Sequence, residues 1–229
     1  MEIRAFRGWR YACGEEHDFS SFLAPPYDVL SGEDKAALMA AAGGPNIVEV
    51  DLPHVPPHDA GPEVVYQDAA ALLARWQAEC VLCQEAEPAI YVYDQTYTWA
   101  GVTSTRRSLI AGLRSTELGK DIIPHEHTFP GPKADRLLLT RHTRTQISPI
   151  FGFYNDTAGT VADLLAAATQ GPADAHGQLR DVAESLWAVT DAEIISAVAS
   201  ALRDEPAFIA DGHHRYGTAM NYRDALRAE

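Results

Sequence analysis

The sequence predicts an α+β fold with a mixed sheet, and two observations support this prediction. Short runs rich in β-branched and aromatic residues alternate with stretches in which apolar residues recur at helical spacing. These segments do not follow the regular strand–helix–strand order of a doubly wound sheet, which favours α+β over α/β. The 229 residues suffice for one large domain or two small ones. We expect a single α+β domain over residues 1–229, with an inserted subregion at about 85–190.

The first part of the chain predicts two strands and two helices. Residues 3–11 are the first strand candidate, and residues 46–52 alternate like a second strand. Residues 31–34 have the pattern of a capping box, which begins a helix that ends at Gly43. Apolar residues at helical spacing predict a second helix over residues 62–79.

The rest of the chain predicts a hairpin and, near its end, a strand that leads into the last helix. Two β-rich stretches, 89–98 and 103–113, flank Ala100-Gly101, which is typical of a hairpin. An apolar run breaks at Gly212 into a polar, helix-like segment. The other predicted elements are a loop over 119–133, helices over 134–143, 160–169 and 191–202, and strands over 149–154 and ending at Val189.

The charge balance limits the classes of partner. Lys and Arg number 18 against 32 Asp and Glu, a net charge of −14, which disfavours long-range attraction to nucleic acid or to an anionic membrane. No apolar run approaches the roughly 20 residues that span a bilayer, and the first residues lack the apolar stretch of a signal peptide. We therefore expect a cytoplasmic protein that binds neither nucleic acid nor membranes.

The three cysteines predict no disulfide framework. Cys13, Cys80 and Cys83 are an odd number, and Cys80-x-x-Cys83 has no second pair that would complete a zinc site. We expect buried thiols at a helix end.

The segment from Asp211 to Arg215 points to phosphate chemistry. The first turn of a helix has unpaired N–H groups and the positive end of the helix dipole, which stabilise an anion. Asp211 can cap the helix or act as a base, Gly212 lets the backbone approach a ligand, and Arg215 can bind a phosphate through two parallel hydrogen bonds. His213 and His214 diverge by about 100° on a helix, so which of them faces inward stays open.

A second polar segment contains His125, Glu126 and His127. It can supply a base and, with Lys133 and Arg136, contacts to phosphate, or it can be a solvated surface loop. The two histidines share a face only on an extended chain, on which Glu126 points the other way. This is poor geometry for zinc unless the loop bends, so no metal-ligand set is predicted.

A third segment, residues 25–28, begins with two prolines that hold the backbone extended. It suits the wall of a substrate pocket, because the cost of ordering Tyr27 and Asp28 is low in a rigid segment. Equally, Tyr27 can fill the core and Asp28 can cap a turn.

Five segments in this order resemble the DUF1015 family of uncharacterised proteins. They are APPYDVLS at 24–31, HExT at 125–128, KxDR at 133–136, SPIF at 148–151 and IADGHHRY at 209–216. That family is distantly similar to the ParB/sulfiredoxin superfamily, which includes free-serine kinases and nucleotide-binding partition proteins. The resemblance implies a ParB/sulfiredoxin-like core with a large insertion. It also implies that the C-terminal part of the family is absent here, which would make the chain a fragment, a truncated product or an inactive relative.

The residues themselves and, for Asp211, His214 and Arg215, the resemblance give the roles of the candidate site residues. Asp211 and Glu126 are the candidate catalytic residues. The candidate phosphate or nucleotide contacts are Gly212, His213, His214, Arg215, Lys133 and Arg136. The candidate walls of the substrate pocket are Pro26, Tyr27, Asp28, His125 and His127. Sulfiredoxin needs a cysteine after the glycine, where this chain has His213, so repair of sulfinic acid is not expected.

The function expected from these residues is phosphoryl transfer to a small, serine-like hydroxyl group. Its cofactors would be a nucleoside di- or triphosphate and Mg²⁺, and its partners a nucleotide and a small-molecule substrate. The alternative is a non-catalytic binding or regulatory module that depends on nucleotide.

Overall fold

The computed structural model describes residues 1–12, 18–56 and 59–228. The strands are β1 (Ile3–Arg4), β2 (Trp9–Tyr11), β3 (Leu82–Gln84), β4 (Ile90–Trp99), β5 (Val102–Ile110), β6 (Gly112–Leu113), β7 (Ile122–Ile123), β8 (Phe151–Phe153), β9 (Ala175–Leu179), β10 (Val182–Val189) and β11 (Ala207–Asp211). The α-helices are α1 (Gly32–Ala42), α2 (Val48–Asp51), α3 (Glu63–Ala78), α4 (Pro130–Thr143), α5 (Thr160–Ala168), α6 (Ala192–Leu202) and α7 (His213–Ala228). Short 3₁₀ helices cover Ser20–Phe22 and Tyr27–Val29.

The chain divides into two compact units, each built from three stretches of sequence. Unit 1 consists of Met1–Leu23, Leu82–Arg114 and Tyr154–Pro206. Unit 2 consists of Ala24–Val81, Ser115–Phe153 and Ala207–Glu229. Both units combine helices with sheets, antiparallel in unit 1 and mixed in unit 2, which confirms the α+β fold. An insertion at about 85–190 stays a prediction.

Unit 1 is built on a four-stranded antiparallel sheet in the order β5-β4-β10-β9. The β4–β5 pair runs in unbroken register from Tyr91 opposite Ile110 to Trp99 opposite Val102, which confirms the predicted hairpin. Helices α5 and α6 pack against each other, and Asp191 caps α6 by accepting hydrogen bonds from two backbone N–H groups.

Unit 2 is built on a three-stranded sheet in the order β7-β11-β8. The central strand β11 is parallel to β7 and antiparallel to β8. Helix α7 follows β11 directly, and α4 packs against both α3 and α7. Ile122, Ile209 and Tyr216 form the apolar cluster beneath the β11–α7 connection. All the predicted site residues belong to this unit.

The capping box of α1 is confirmed, whereas the strand predicted over residues 46–52 is wrong. The Ser31 side chain accepts from Asp34 N–H, and the Asp34 carboxylate accepts from Ser31 N–H. Where the strand was expected, the Asn46 side chain accepts from Val48 N–H and starts the short helix α2. This helix is buried between neighbours, since α1 and α3 both pack against it. In residues 46–52 the alternation of apolar and polar side chains therefore results from helix packing and does not indicate a strand.

The prediction of buried thiols is wrong for Cys80 and Cys83, which are both exposed. Cys80 lies in a turn with a positive φ of 56° after α3, and Cys83 lies in β3, which pairs with the short β2. Cys13 lies outside the described residues.

None of the helices that the structure describes has the length and apolar character needed to cross a membrane.

Candidate functional site

The candidate site lies where β11 ends and α7 begins. Gly212 joins the two elements with a φ of +92°, which non-glycine residues rarely adopt. The helix begins at His213, and Tyr216 N–H donates to the Gly212 carbonyl oxygen at 2.9 Å. The N–H groups of the three preceding helical residues therefore have no acceptor within the helix. The first turn itself contains no acidic side chain, although the carboxylates of Asp211 and Glu126 lie close to it.

Arg215 lies in this first turn and is 7% exposed. Its guanidinium donates to the carboxylate of Asp211 and to the carbonyl oxygen of Pro149, and the carboxylate of Asp28 lies 3.9 Å away. Its Nε is buried and has no hydrogen-bond partner among the described residues. A methyl group on Gly212 would lie 3.0 Å from this Nε, so the guanidinium packs closely against the glycine. The structure thus holds a buried cation, with one donor unused, at the start of α7.

His213 is the inward-facing histidine of the pair. It is 4% exposed, and its Nδ1 lies 3.0 Å from Oε1 of Glu126. The backbone N–H of His125 donates to His213 Nε2 at 3.3 Å, and the two imidazole rings meet edge to face with centroids 4.5 Å apart. Burial lowers the pKa of His213, although the charges of Glu126 and Asp211 act in the opposite direction. The ring is therefore neutral near pH 7.

His214 connects α7 to the start of α4. Its Nε2 accepts a hydrogen bond from Phe129 N–H at 3.0 Å, and its ring stacks on that of Phe129. One turn further along, the Lys133 side chain packs against Gly217, and Thr218 Oγ1 donates to the Lys133 carbonyl oxygen at 3.4 Å. These contacts place the N-termini of α4 and α7 side by side. Both helix dipoles therefore direct their positive ends toward the loop that contains His125 and Glu126.

Arg136 is also buried and, like Arg215, has one nitrogen without a hydrogen-bond partner among the described residues, but the carboxylates that balance its charge are themselves buried. Its Nε donates to Asp135 Oδ2 at 2.7 Å, and one terminal nitrogen donates to the carbonyl oxygen of Asp51 at 2.6 Å and to Asp51 Oδ1 at 3.2 Å. Its other terminal nitrogen lies 2.6 Å from Asp135 Oδ2. The guanidinium also lies 3.9 Å above the Tyr27 ring. This arrangement supports a structural role for Arg136, and its predicted contact to phosphate stays a prediction.

Several members of the Arg136 cluster were missed from the sequence. The Tyr66 hydroxyl donates to Asp135 Oδ1 at 2.6 Å, and the Ser148 hydroxyl donates to Asp51. Burial raises the pKa of Asp51, although the Arg136 charge and the Ser148 hydrogen bond act in the opposite direction. Asp51 was missed because its segment was assigned to a strand. Ser148 lies in one of the five family-like segments, which is the signal that could have identified it.

Arg136 and Arg215 both line a small cavity of about 30 Å³, together with Asp51, Ser148 and Thr218. A volume of this size holds one or two water molecules. The cavity therefore suits bridging water and is too small for a nucleotide.

The structure brings most of the predicted residues together and separates a few. Around the start of α7 it groups Asp28, His125, Glu126, Lys133, Asp211, Gly212, His213, His214 and Arg215. Tyr27 packs in the core with Leu30, Val48 and Leu52. Of the two alternatives for this residue, pocket wall or core, the structure supports the core. Burial raises the Tyr27 pKa to about 12. Pro26 and His127 are exposed.

The comparisons with known proteins identify the family. No curated protein and no solved structure matches the chain significantly. One family, described as protein of unknown function (DUF1015), matches residues 3–229. Because this match covers nearly the whole sequence, the chain belongs to the DUF1015 family.

Proposed function

We propose that the chain binds a nucleoside di- or triphosphate at the start of α7 and transfers a phosphoryl group to a small, serine-like hydroxyl group. The observation that carries this proposal is Arg215, a buried guanidinium with an unpartnered Nε beside Gly212. Unpaired helix N–H groups and an arginine are the groups that bind phosphate oxygens. A distant relationship to the ParB/sulfiredoxin superfamily, with its free-serine kinases, is part of the same proposal.

Binding would rely on local contacts, because the net charge of −14 repels a nucleotide at long range. The N–H groups of the first turn of α7 would bind the terminal phosphate oxygens, and Arg215 would neutralise their charge. Lys133 lies one helical turn into the adjacent α4 and would contact the same phosphates. These groups are in place before the ligand arrives, so little ordering would oppose binding.

Transfer would use Asp211 as the base. The acceptor hydroxyl oxygen attacks the terminal phosphorus, its proton passes to the Asp211 carboxylate, and the bond from phosphorus to the bridging oxygen breaks. The shortened nucleotide leaves with that electron pair. The Asp211 side chain is 55% exposed and so is accessible to an acceptor. Mg²⁺ prefers oxygen ligands, and the exposed carboxylates of Asp28 and Asp211 fit that preference; when bound, it would neutralise phosphate charge.

The experiment combines the purified chain, a magnesium nucleotide and free amino acids, and follows phosphoamino acid by mass spectrometry. We expect phosphoserine from ATP or ADP. In the Asp211→Asn variant, turnover should stop while nucleotide affinity, measured by calorimetry, stays within a few-fold of the parent. If the parent chain neither binds a nucleotide nor forms a phosphoamino acid, the proposal is wrong.

One contact favours the alternative, a nucleotide-dependent binding or regulatory module. Asp211 accepts a hydrogen bond from Arg215, so part of its capacity to accept a proton is already used. In a binding module, the parent chain would bind nucleotide tightly and release no product. We also propose a cytoplasmic location, where nucleotides and free amino acids occur together.

A further inference from the structure

We propose that His125, Glu126 and His213 bind a divalent transition metal, with zinc the best fit. One possible ligand atom from each of these residues lies within 4.8 Å of the other two. Two imidazole nitrogens and one carboxylate oxygen are the ligand set of many zinc sites that keep a fourth position open. This proposal does not depend on phosphoryl transfer.

The position of His213 is the first argument. Its side chain is 2% exposed, and its Nδ1 is buried without a hydrogen bond although Glu126 Oε1 lies 3.0 Å away. Two ligand atoms on a tetrahedral zinc ion, each about 2.0–2.1 Å from the metal, are about 3.3 Å apart. The distance between Nδ1 and Oε1 is thus close to that of two atoms that share a metal, and their orientation is not that of a hydrogen bond.

His125 provides the second argument. Its Nδ1 donates to the carbonyl oxygen of Ile209 at 2.8 Å. That hydrogen bond keeps the proton of the neutral ring on Nδ1 and leaves the lone pair on Nε2. Metal-binding histidines are commonly oriented in this way, by a backbone carbonyl that fixes the tautomer. Because Ile209 is a buried residue of the central strand β11, the anchor of His125 is rigid.

Metal binding would change one existing contact. The His125 backbone N–H now donates to His213 Nε2 at 3.3 Å, which places the proton of the neutral His213 ring on Nδ1. Coordination through Nδ1 moves that proton to Nε2, so the His125 N–H must turn away. The loss is small because the hydrogen bond is long. Glu126 is exposed on a loop and can approach the metal by rotating its side chain, while the His125 ring keeps its hydrogen bond to the Ile209 carbonyl oxygen.

The ligand set also separates this metal from Mg²⁺. Magnesium prefers oxygen ligands in octahedral geometry, whereas imidazole suits zinc and its neighbours in the first transition series. Three protein ligands leave a position for water or for a substrate oxygen.

The test is a titration of the untagged 229-residue chain with Zn²⁺ after treatment with a chelator. All three cysteines are replaced by serine in every variant, because thiolates bind zinc and Cys80 and Cys83 are exposed. We expect one Zn²⁺ per chain, and at least tenfold weaker binding in Glu126→Gln and in His125→Gln. Millimolar Mg²⁺ should not displace the zinc. Glu126 and His125 are exposed, so neither substitution should prevent folding.

His127→Ala is the matched control, because His127 is exposed in the same loop but outside the cluster. Its zinc affinity should equal that of the parent. Co²⁺ gives a second measurement: its visible absorption should appear in the parent and be lost in Glu126→Gln. A parent chain that binds no zinc, or a Glu126→Gln variant with unchanged affinity, would overturn the proposal. The titration contains no nucleotide, so its result is independent of the proposed kinase activity.

Discussion

Arg136 and Arg215 are both buried arginines in unit 2, yet their surroundings differ. The carboxylates that balance Arg136 are themselves buried, since the side chains of Asp135 and Asp51 are 0% and 12% exposed. The carboxylates that face Arg215 are open to solvent: the side chain of Asp28 is 39% exposed and that of Asp211 is 55% exposed. A carboxylate that keeps its hydration can be displaced by a phosphate, whereas a buried one cannot leave without a large cost. Equal burial of two cations therefore does not imply equal function.

The largest expected effect is the loss of stability in Arg136→Ala. This change leaves Asp51 and Asp135 buried without a countercharge, and we expect the free energy of unfolding to fall by about 3–5 kcal/mol. Urea unfolding measures it. Arg141→Ala is the control, because Arg141 is exposed on the same helix and should change stability by less than about 0.5 kcal/mol. Similar losses in both variants would show that the Arg136 cluster is not structural.

Arg215→Ala should affect nucleotide affinity more than it affects stability. Losing two charged hydrogen bonds to phosphate should lower nucleotide affinity about 100-fold, equivalent to about 2.7 kcal/mol. Its loss of stability should be smaller than that of Arg136→Ala, because Asp28 and Asp211 can be hydrated once the cation is gone. Calorimetry and urea unfolding on the same samples compare the two effects. If Arg215→Ala bound nucleotide as tightly as the parent chain, Arg215 would not be part of the binding site.

Gly212→Ala tests whether the glycine serves the arginine or only the turn. A side chain at φ +92° is strained, and we expect a loss of about 1–3 kcal/mol in stability. The new methyl group would also displace the Arg215 guanidinium and weaken nucleotide binding. Gly43→Ala is the matched control: its φ is +60°, and nothing lies within 4 Å of the added methyl. Gly43→Ala should lower stability and leave nucleotide affinity unchanged. Equal nucleotide affinity in Gly212→Ala and Gly43→Ala would show that Gly212 does not contribute to nucleotide binding.

The smallest effect is expected for Asp28→Asn. This carboxylate lies 3.9 Å from Arg215 and is partly exposed, so its loss should change stability by less than about 1 kcal/mol. Because it competes with phosphate for Arg215, its removal should raise nucleotide affinity a few-fold. Glu33→Gln removes the same charge from the exposed start of α1 and is the control. If nucleotide affinity rises equally in Asp28→Asn and Glu33→Gln, the effect comes from the change in net charge alone.

Local signals predicted most of the secondary structure correctly. The capping box at Ser31, the hairpin around Ala100-Gly101 and the glycine turn before α7 each depend on neighbours in sequence, and each is present. The failure at residues 46–52 has the opposite cause. There, α1 and α3 bury the short helix α2, so its apolar pattern reflects packing between separate helices.

The sequence alone determined the α+β class, the family and the start of α7 as the candidate site. These follow from periodicity, from turn chemistry and from motifs that are contiguous in the chain. Only the tertiary structure decided that Tyr27 is a core residue, that His213 faces inward and that Arg136 is held by Asp51 and Asp135. It also brought His213 to His125 and Glu126, which precede it by 88 and 87 residues. Burial and pairing depend on which segments meet in space, and a list of neighbours along the chain does not contain that information.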